Sequence, residues 1–233
     1  MDIWSHLVKF FQGGGEFMFP IAIVAVLGLA IAIERFLYLN KVESRNRALW
    51  DEVSPVIAKG DYRKAAQMTS SSDAAIGQIL NYGLARVQGA RHRDDVEKAM
   101  EESMQEVVPR IEKRTHYLAT LANLATLLGL LGTVMGLIAA FTAVATVNPA
   151  EKANLLSASI SVAMNCTAFG LMTAVPLLFV HAVLQTKSTE LIDSLEMASV
   201  KFLNSITERT DNAPVAQPAA PVMRQTAAPQ PAR

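Results

Sequence analysis

The side chains of this chain that could do chemistry lie inside two long apolar stretches. One runs from Leu118 to Val147 and the other from Leu155 to Leu184, and neither contains Asp, Glu, Lys or Arg. Within them stand Thr133, Ser159, Ser161, Asn165 and Thr167. Hydroxyls and amides donate and accept hydrogen bonds, but they do not titrate near neutral pH. Acid–base catalysis is therefore not available to them. What they can do at membrane depth is bridge helices or line a path for water and ions, because an amide in hydrocarbon must find a hydrogen-bonding partner.

Their spacing is regular. Gly129, Thr133, Gly136 and Ala140 fall at i, i+4, i+7 and i+11, and Ala163, Thr167, Gly170 and Ala174 repeat those offsets. Each set shares one face of a helix. Small faces let helices approach closely in lipid, and Gly132 with Gly136 forms a GxxxG. Gly129, Gly132, Gly136, Ala163, Gly170, Ala174 and Pro176 are thus candidates for helix packing. The spacing alone leaves two readings open: a seam that only packs, or a polar path walled by the threonines.

Nothing else in the chain forms a catalytic constellation. His6, His92, His116 and His181 are scattered, Cys166 is the single cysteine, and no phosphate-binding loop occurs. No metal and no cofactor is expected, and the chain does not read as an enzyme. With 21 basic and 21 acidic residues the net charge is zero, which gives no basic face for nucleic acid. An apolar content of 51% and a mean hydropathy of +0.26 are high for a soluble domain.

The elements that must hold these residues follow from periodicity. Residues 1–15 predict an amphipathic helix in the membrane interface, with Trp4 at headgroup level, closed by Gly13–Gly15. Residues 17–39 predict a first span, with Pro20 in its first turn. Residues 40–116 predict a helical domain in which Gly60 ends one helix and Asp61 caps the next. Ser72 or Asp73 caps a third helix, and Pro109 bends or interrupts a fourth. A second span over 117–147, a loop over 148–154 and a third span over 155–186 follow. A helical extension over 187–209 and a disordered Pro- and Ala-rich tail over 210–233 complete the chain. Each long apolar stretch is about 30 residues, roughly 45 Å as helix, enough to cross a hydrocarbon core of about 30 Å. The fold class expected is an all-α membrane protein: three transmembrane helices, long cytoplasmic helical extensions and a small cytoplasmic helical bundle. Arg35, Lys41, Arg45, Arg47, Arg110, Lys113, Arg114 and Lys187 flank the spans on one side, and Lys9 and Lys152 on the other. The positive-inside rule places the bundle and C-terminus in the cytoplasm and the N-terminus outside, in contact with membrane lipids.

At GLLGTVMGLIAAF and NCTAFGLMTAVP the sequence resembles the second and third spans of the MotA/TolQ/ExbB proton-channel family, and ERFLYL at the end of the first span also fits. The three-span layout is similar to the ExbB branch first and the TolQ branch second. The resemblance implies a homopentamer in the bacterial inner membrane around a dimer of an ExbD-like one-span partner whose membrane helix carries an Asp. In that scheme ion flow drives motion of the dimer, and a TonB-like protein carries the work to the outer membrane. Thr133 and Thr167 match the family's pore-facing threonines, and Gly170 and Pro176 match its third-span pattern. ExbB-type proteins often carry a Glu five residues before the third-span threonine; here that position is Val162. With no carboxylate at mid-span and only Glu34 at a border, the chain lacks a group that gains and loses charge. The expectation is that the chain alone conducts ions poorly until a carboxylate-bearing helix joins it.

Overall fold

The three apolar stretches are parts of helices that run well beyond them. The computed structural model describes residues 10–11, 13–87 and 93–212, with side chains through residue 207. Its elements are α1 (Met18–Lys59), α2 (Tyr62–Ser70), α3 (Ala75–Val87), α4 (Arg93–Glu112), α5 (Thr115–Thr146) and α6 (Pro149–Asn212). No strand occurs among the described residues. Most of the predicted interfacial helix (residues 1–9 and 12) and residues 213–233 of the predicted tail lie outside the described residues, whereas residues 210–212, expected in that tail, are the last of α6.

Local chemistry sets the breaks. α1 ends in a Schellman motif: Gly60 takes the left-handed conformation (φ 78°), its N–H bonds the Ile57 carbonyl, and the Asp61 N–H bonds that of Val56. Asp61 then caps α2 by accepting from the Lys64 N–H at 3.0 Å. α4 continues through Pro109 and stops at Glu112. Lys113 and Arg114 interrupt the chain there, with Arg114 at φ 67°. The turn between α5 and α6 is only Val147–Asn148. The residues after it extend the helix because Pro149 suits its first position and Glu151 its positive end.

Three segments, Met18–Lys59, Arg93–Thr146 and Pro149–Thr207, each contain a stretch long and apolar enough to cross a membrane. Their large side chains point outward: Phe19 is 63% exposed, Phe141 63% and Phe179 70%. Lipid or other chains must cover such a surface. The inward side is one continuous core. Near the spans it holds Ile21, Leu118, Ala122, Leu177 and Leu184; in the bundle it holds Val53, Ile79, Leu80, Met100, Leu195 and Phe202. Because α1 and α6 traverse both regions, the bundle and the spans share struts rather than a linker. That continuity fixes where the α5–α6 hairpin sits.

Candidate functional site

The two small-residue stripes face each other inside one protomer. At Gly170 an added Cβ would stand 2.7 Å from the Ala125 carbonyl oxygen and 3.1 Å from the Gly129 Cα. At Gly129 it would meet the Thr167 Cα at 3.2 Å, and at Gly136 the Ala163 Cβ at 2.9 Å. At Gly132 it would strike the Cys166 sulfur. At Gly129 and Gly170 backbone therefore touches backbone, which requires glycine, while Gly132 and Gly136 make room for the side chains of Cys166 and Ala163. Ala140, Ala163 and Ala174 are buried in the protomer, while Pro176 lies on the exposed side of α6. A second close approach, Gly28 of α1 against the Leu177 side chain, ties the hairpin to the first helix.

The polar residues divide among different faces. The Thr167 hydroxyl donates across the seam to the Gly129 carbonyl at 2.9 Å. The Thr133 hydroxyl, half-buried at the edge of the seam, donates to Leu130 of its own helix at 2.6 Å. Asn165 is two residues before Thr167 and so about 160° away around the helix. Its amide donates to the Gly13 carbonyl at 3.3 Å and ties the turn that precedes α1 to α6. Phe10 and Phe11 pack their edges on Phe169 one turn further on. Ser159 is half-buried and Ser161 exposed. Val162 stands beside Gly15, at the level where the chain enters α1.

Two polar residues of α5 escaped the sequence reading. Thr126 lies seven residues before Thr133, two helical turns along the same flank, and Asn123 is exposed just beyond it. The i, i+7 spacing was the signal available in the sequence. No carboxylate lies between Leu118 and Val147 or between Leu155 and Leu184; Glu34, near the end of the first apolar stretch, is half-exposed and lies 3.7 Å from Arg114. No cluster of His, Cys, Asp or Glu suited to a metal ion occurs among the described residues.

Three helices long and apolar enough to cross a membrane, two of them joined along a glycine-lined seam, define the fold class as an all-helical membrane protein. A family model described as the MotA/TolQ/ExbB proton channel family matches residues 71–197, more than half of the chain, and the chain belongs to that family. It is similar to a putative biopolymer transport protein ExbB homolog of Methanothermobacter thermautotrophicus, 26% identical over 84% of this chain and 69% of that one. The putative biopolymer transport protein ExbB-like 1 of Synechocystis is 30% identical, over 81% of this chain and 74% of its own. The Tol-Pal system protein TolQ of Haemophilus influenzae is 28% identical over 47% of this chain and 46% of its own.

Proposed function

We propose that this chain is the ion-channel, or stator, subunit of a bacterial inner-membrane motor. Several copies, a pentamer in this reading, form a ring with the N-terminus outside and the bundle and C-terminus in the cytoplasm. Thr133 and Thr167 stand along the inner wall, with Ser159 and Ser161 toward the outer mouth. Asn165 holds the N-terminal segment against that wall. An ExbD-like one-span partner with an intramembrane Asp occupies the lumen, and a TonB-like protein takes up the work. A TolQ-like role in envelope maintenance uses the same machinery with a different client.

The observation that carries this reading is where the titratable groups are. Among the described residues, the hairpin between Leu118 and Leu184 offers hydroxyls and amides at mid-span but no carboxylate; its one imidazole, His181, lies within a turn of Leu184 at the end of the stretch, and Glu34 is at the border beside Arg114. A charge crossing the membrane potential releases about 2.3 kcal/mol per 100 mV. Using it requires a site that charges and discharges, so a partner supplies that site.

The test is ion flux into vesicles holding the chain alone, and the chain co-purified with the one-span protein. Flux is expected only in the second, and is expected to fall in Thr133→Ala and Thr167→Ala. Robust flux through the chain alone that is indifferent to Thr133 would overturn the proposal. The bond from Thr167 to Gly129 favours a second reading, a scaffold whose stripes only pack. Full activity of both alanine variants would select it.

A further inference from the structure

The break between α4 and α5 is held from both sides by other helices. An uninterrupted helix would bond the Ile111 carbonyl to the Thr115 N–H. Here Lys113 and Arg114 intervene, and the carbonyl is left for other donors. Two side chains take it. The Arg35 guanidinium, from α1, donates through Nη2. The Ser188 hydroxyl, from α6, donates at 3.2 Å. Arg35 and Ser188 are 2% and 1% exposed, so this is an interior contact rather than a surface one.

The neighbours reinforce it at one level of the molecule. The Arg35 guanidinium lies 4.8 Å from the centre of the Tyr38 ring. Glu34 faces Arg114, the left-handed residue at the break, at 3.7 Å. Lys187, next to Ser188, pairs with Glu43 of α1 at 2.9 Å and also donates to Asn40. A buried guanidinium is an expensive way to fill space, since its charge must be desolvated. Its merit is a planar, rigid fork of donors that reaches a fixed acceptor with little loss of freedom.

We infer that Arg35 is a positioning residue that fixes the angle at which α5, the broken arm of the hairpin, leaves α4. The chain crosses this level three times. α1 and α6 do so as unbroken helices of 42 and 64 residues. The third crossing is broken at Arg114, and only there can one arm of the hairpin, α5, change its angle to the bundle without bending a helix of its own. Capping the broken end from both unbroken helices turns the weak crossing into a third strut. In the ion-motor reading, on which the functional half of this inference rests, force generated at the hairpin reaches the bundle through these struts.

The test uses the full chain in nanodiscs with nitroxide labels at Gln105 on α4 and Asn123 on α5, both exposed and on opposite sides of the break, in a Cys166→Ala background. Arg35→Met is expected to shift and broaden the distance distribution. Arg35→Lys, which keeps the charge and N–H donors but not the planar fork, is expected to return part of the way. Hydrogen exchange is expected to rise at the first turn of α5 and stay unchanged in the middle of α1. An unchanged distribution in Arg35→Met overturns the inference, and so does a uniform rise in exchange across all helices, which would reduce Arg35 to general support of the fold. Partner-dependent ion flux is read on the same samples, where a loss in Arg35→Met with partial recovery in Arg35→Lys is expected. A shifted distance with full flux overturns the functional half. Absence of flux in the unmodified complex overturns the ion-motor reading itself and leaves the distance result standing.

Discussion

The Thr167 hydroxyl donates to the Gly129 carbonyl across the α5–α6 seam at 2.9 Å. One residue thus serves two candidate roles, since the threonine that would face an ion path also ties the hairpin together. Replacement by Ser keeps the donor, and replacement by Val keeps the shape without it. Interhelical hydrogen bonds of this kind average about 0.6 kcal/mol and reach about 1.7 kcal/mol. Thr167→Val is therefore expected to lower hairpin stability by no more than about 2 kcal/mol, measured by unfolding in detergent, while partner-dependent flux falls far more than that change explains. Thr167→Ser is expected to keep both. If flux falls only in step with stability, the hydroxyl is a packing device.

The seam also makes a graded prediction about its glycines. A methyl at Gly170 meets backbone, the Ala125 carbonyl oxygen and the Gly129 Cα, and neither can turn aside. A methyl at Gly28 meets the far end of the Leu177 side chain, which can change rotamer. Gly170→Ala is expected to cost about 1–3 kcal/mol as overpacking. Gly28→Ala gains about 1 kcal/mol of helix propensity against a smaller clash, so its melting temperature is expected to stay near that of the parent. Equal losses for the two would mean that the helices part as easily as a side chain rotates.

Much of this architecture is legible in the sequence, and the reason differs between elements. The spans announce themselves by composition, and Gly60 and Asp61 by position, because both are local signals. The glycine stripes are legible as stripes, since i, i+4, i+7 spacing is a property of one helix. Which surface they meet is not, because that depends on a residue in another helix: Gly129 lies against Thr167 and Gly28 against Leu177. The same limit hides Arg35. Its place at the end of an apolar run reads as one of the cations that flank the spans, yet it turns inward to a carbonyl 76 positions away in sequence. Pro109 marks the right region for a break, but the helix continues through it to Glu112. The interruption falls at Arg114, for which the sequence carries no glycine to signal it.

Arg114 itself is testable. A left-handed conformation costs a non-glycine residue roughly 1–2 kcal/mol, which glycine does not incur. Against that gain stand the greater freedom of glycine in the unfolded chain, about 0.5–1 kcal/mol, and the loss of a half-exposed ion pair with Glu34, a small contribution. Arg114→Gly is expected to leave stability within about 1 kcal/mol of the parent or slightly above it. Arg114→Val, branched at Cβ and poorly suited to this conformation, is expected to fall clearly below. A chemical-denaturation series in detergent decides, and a valine variant as stable as the glycine variant would show that the break can shift to a neighbouring residue.

Asn46 of α1 is 5% exposed, and its side-chain oxygen accepts from the Ile76 N–H at 3.2 Å, in the first turn of α3. A residue 30 positions away thus satisfies one of the free N–H groups at the start of α3. Ser72 supplies a local bond as well, accepting from the Ala74 N–H at 3.2 Å, so the start of α3 is held from two sides. Truncation at Asn46 removes the buried acceptor and leaves a buried N–H unpaired, at a cost of about 1–3 kcal/mol. The damage is expected to be local: in Asn46→Ala, amide exchange rises over Ala75–Ile79, while α5 and the facing part of α6 keep their protection. Because the hairpin meets the bundle through α1, the break at Arg114 and α6, and not through α3, partner-dependent flux is expected to survive this substitution. A loss of flux in Asn46→Ala with an intact hairpin would place α3 on the route by which force leaves the membrane.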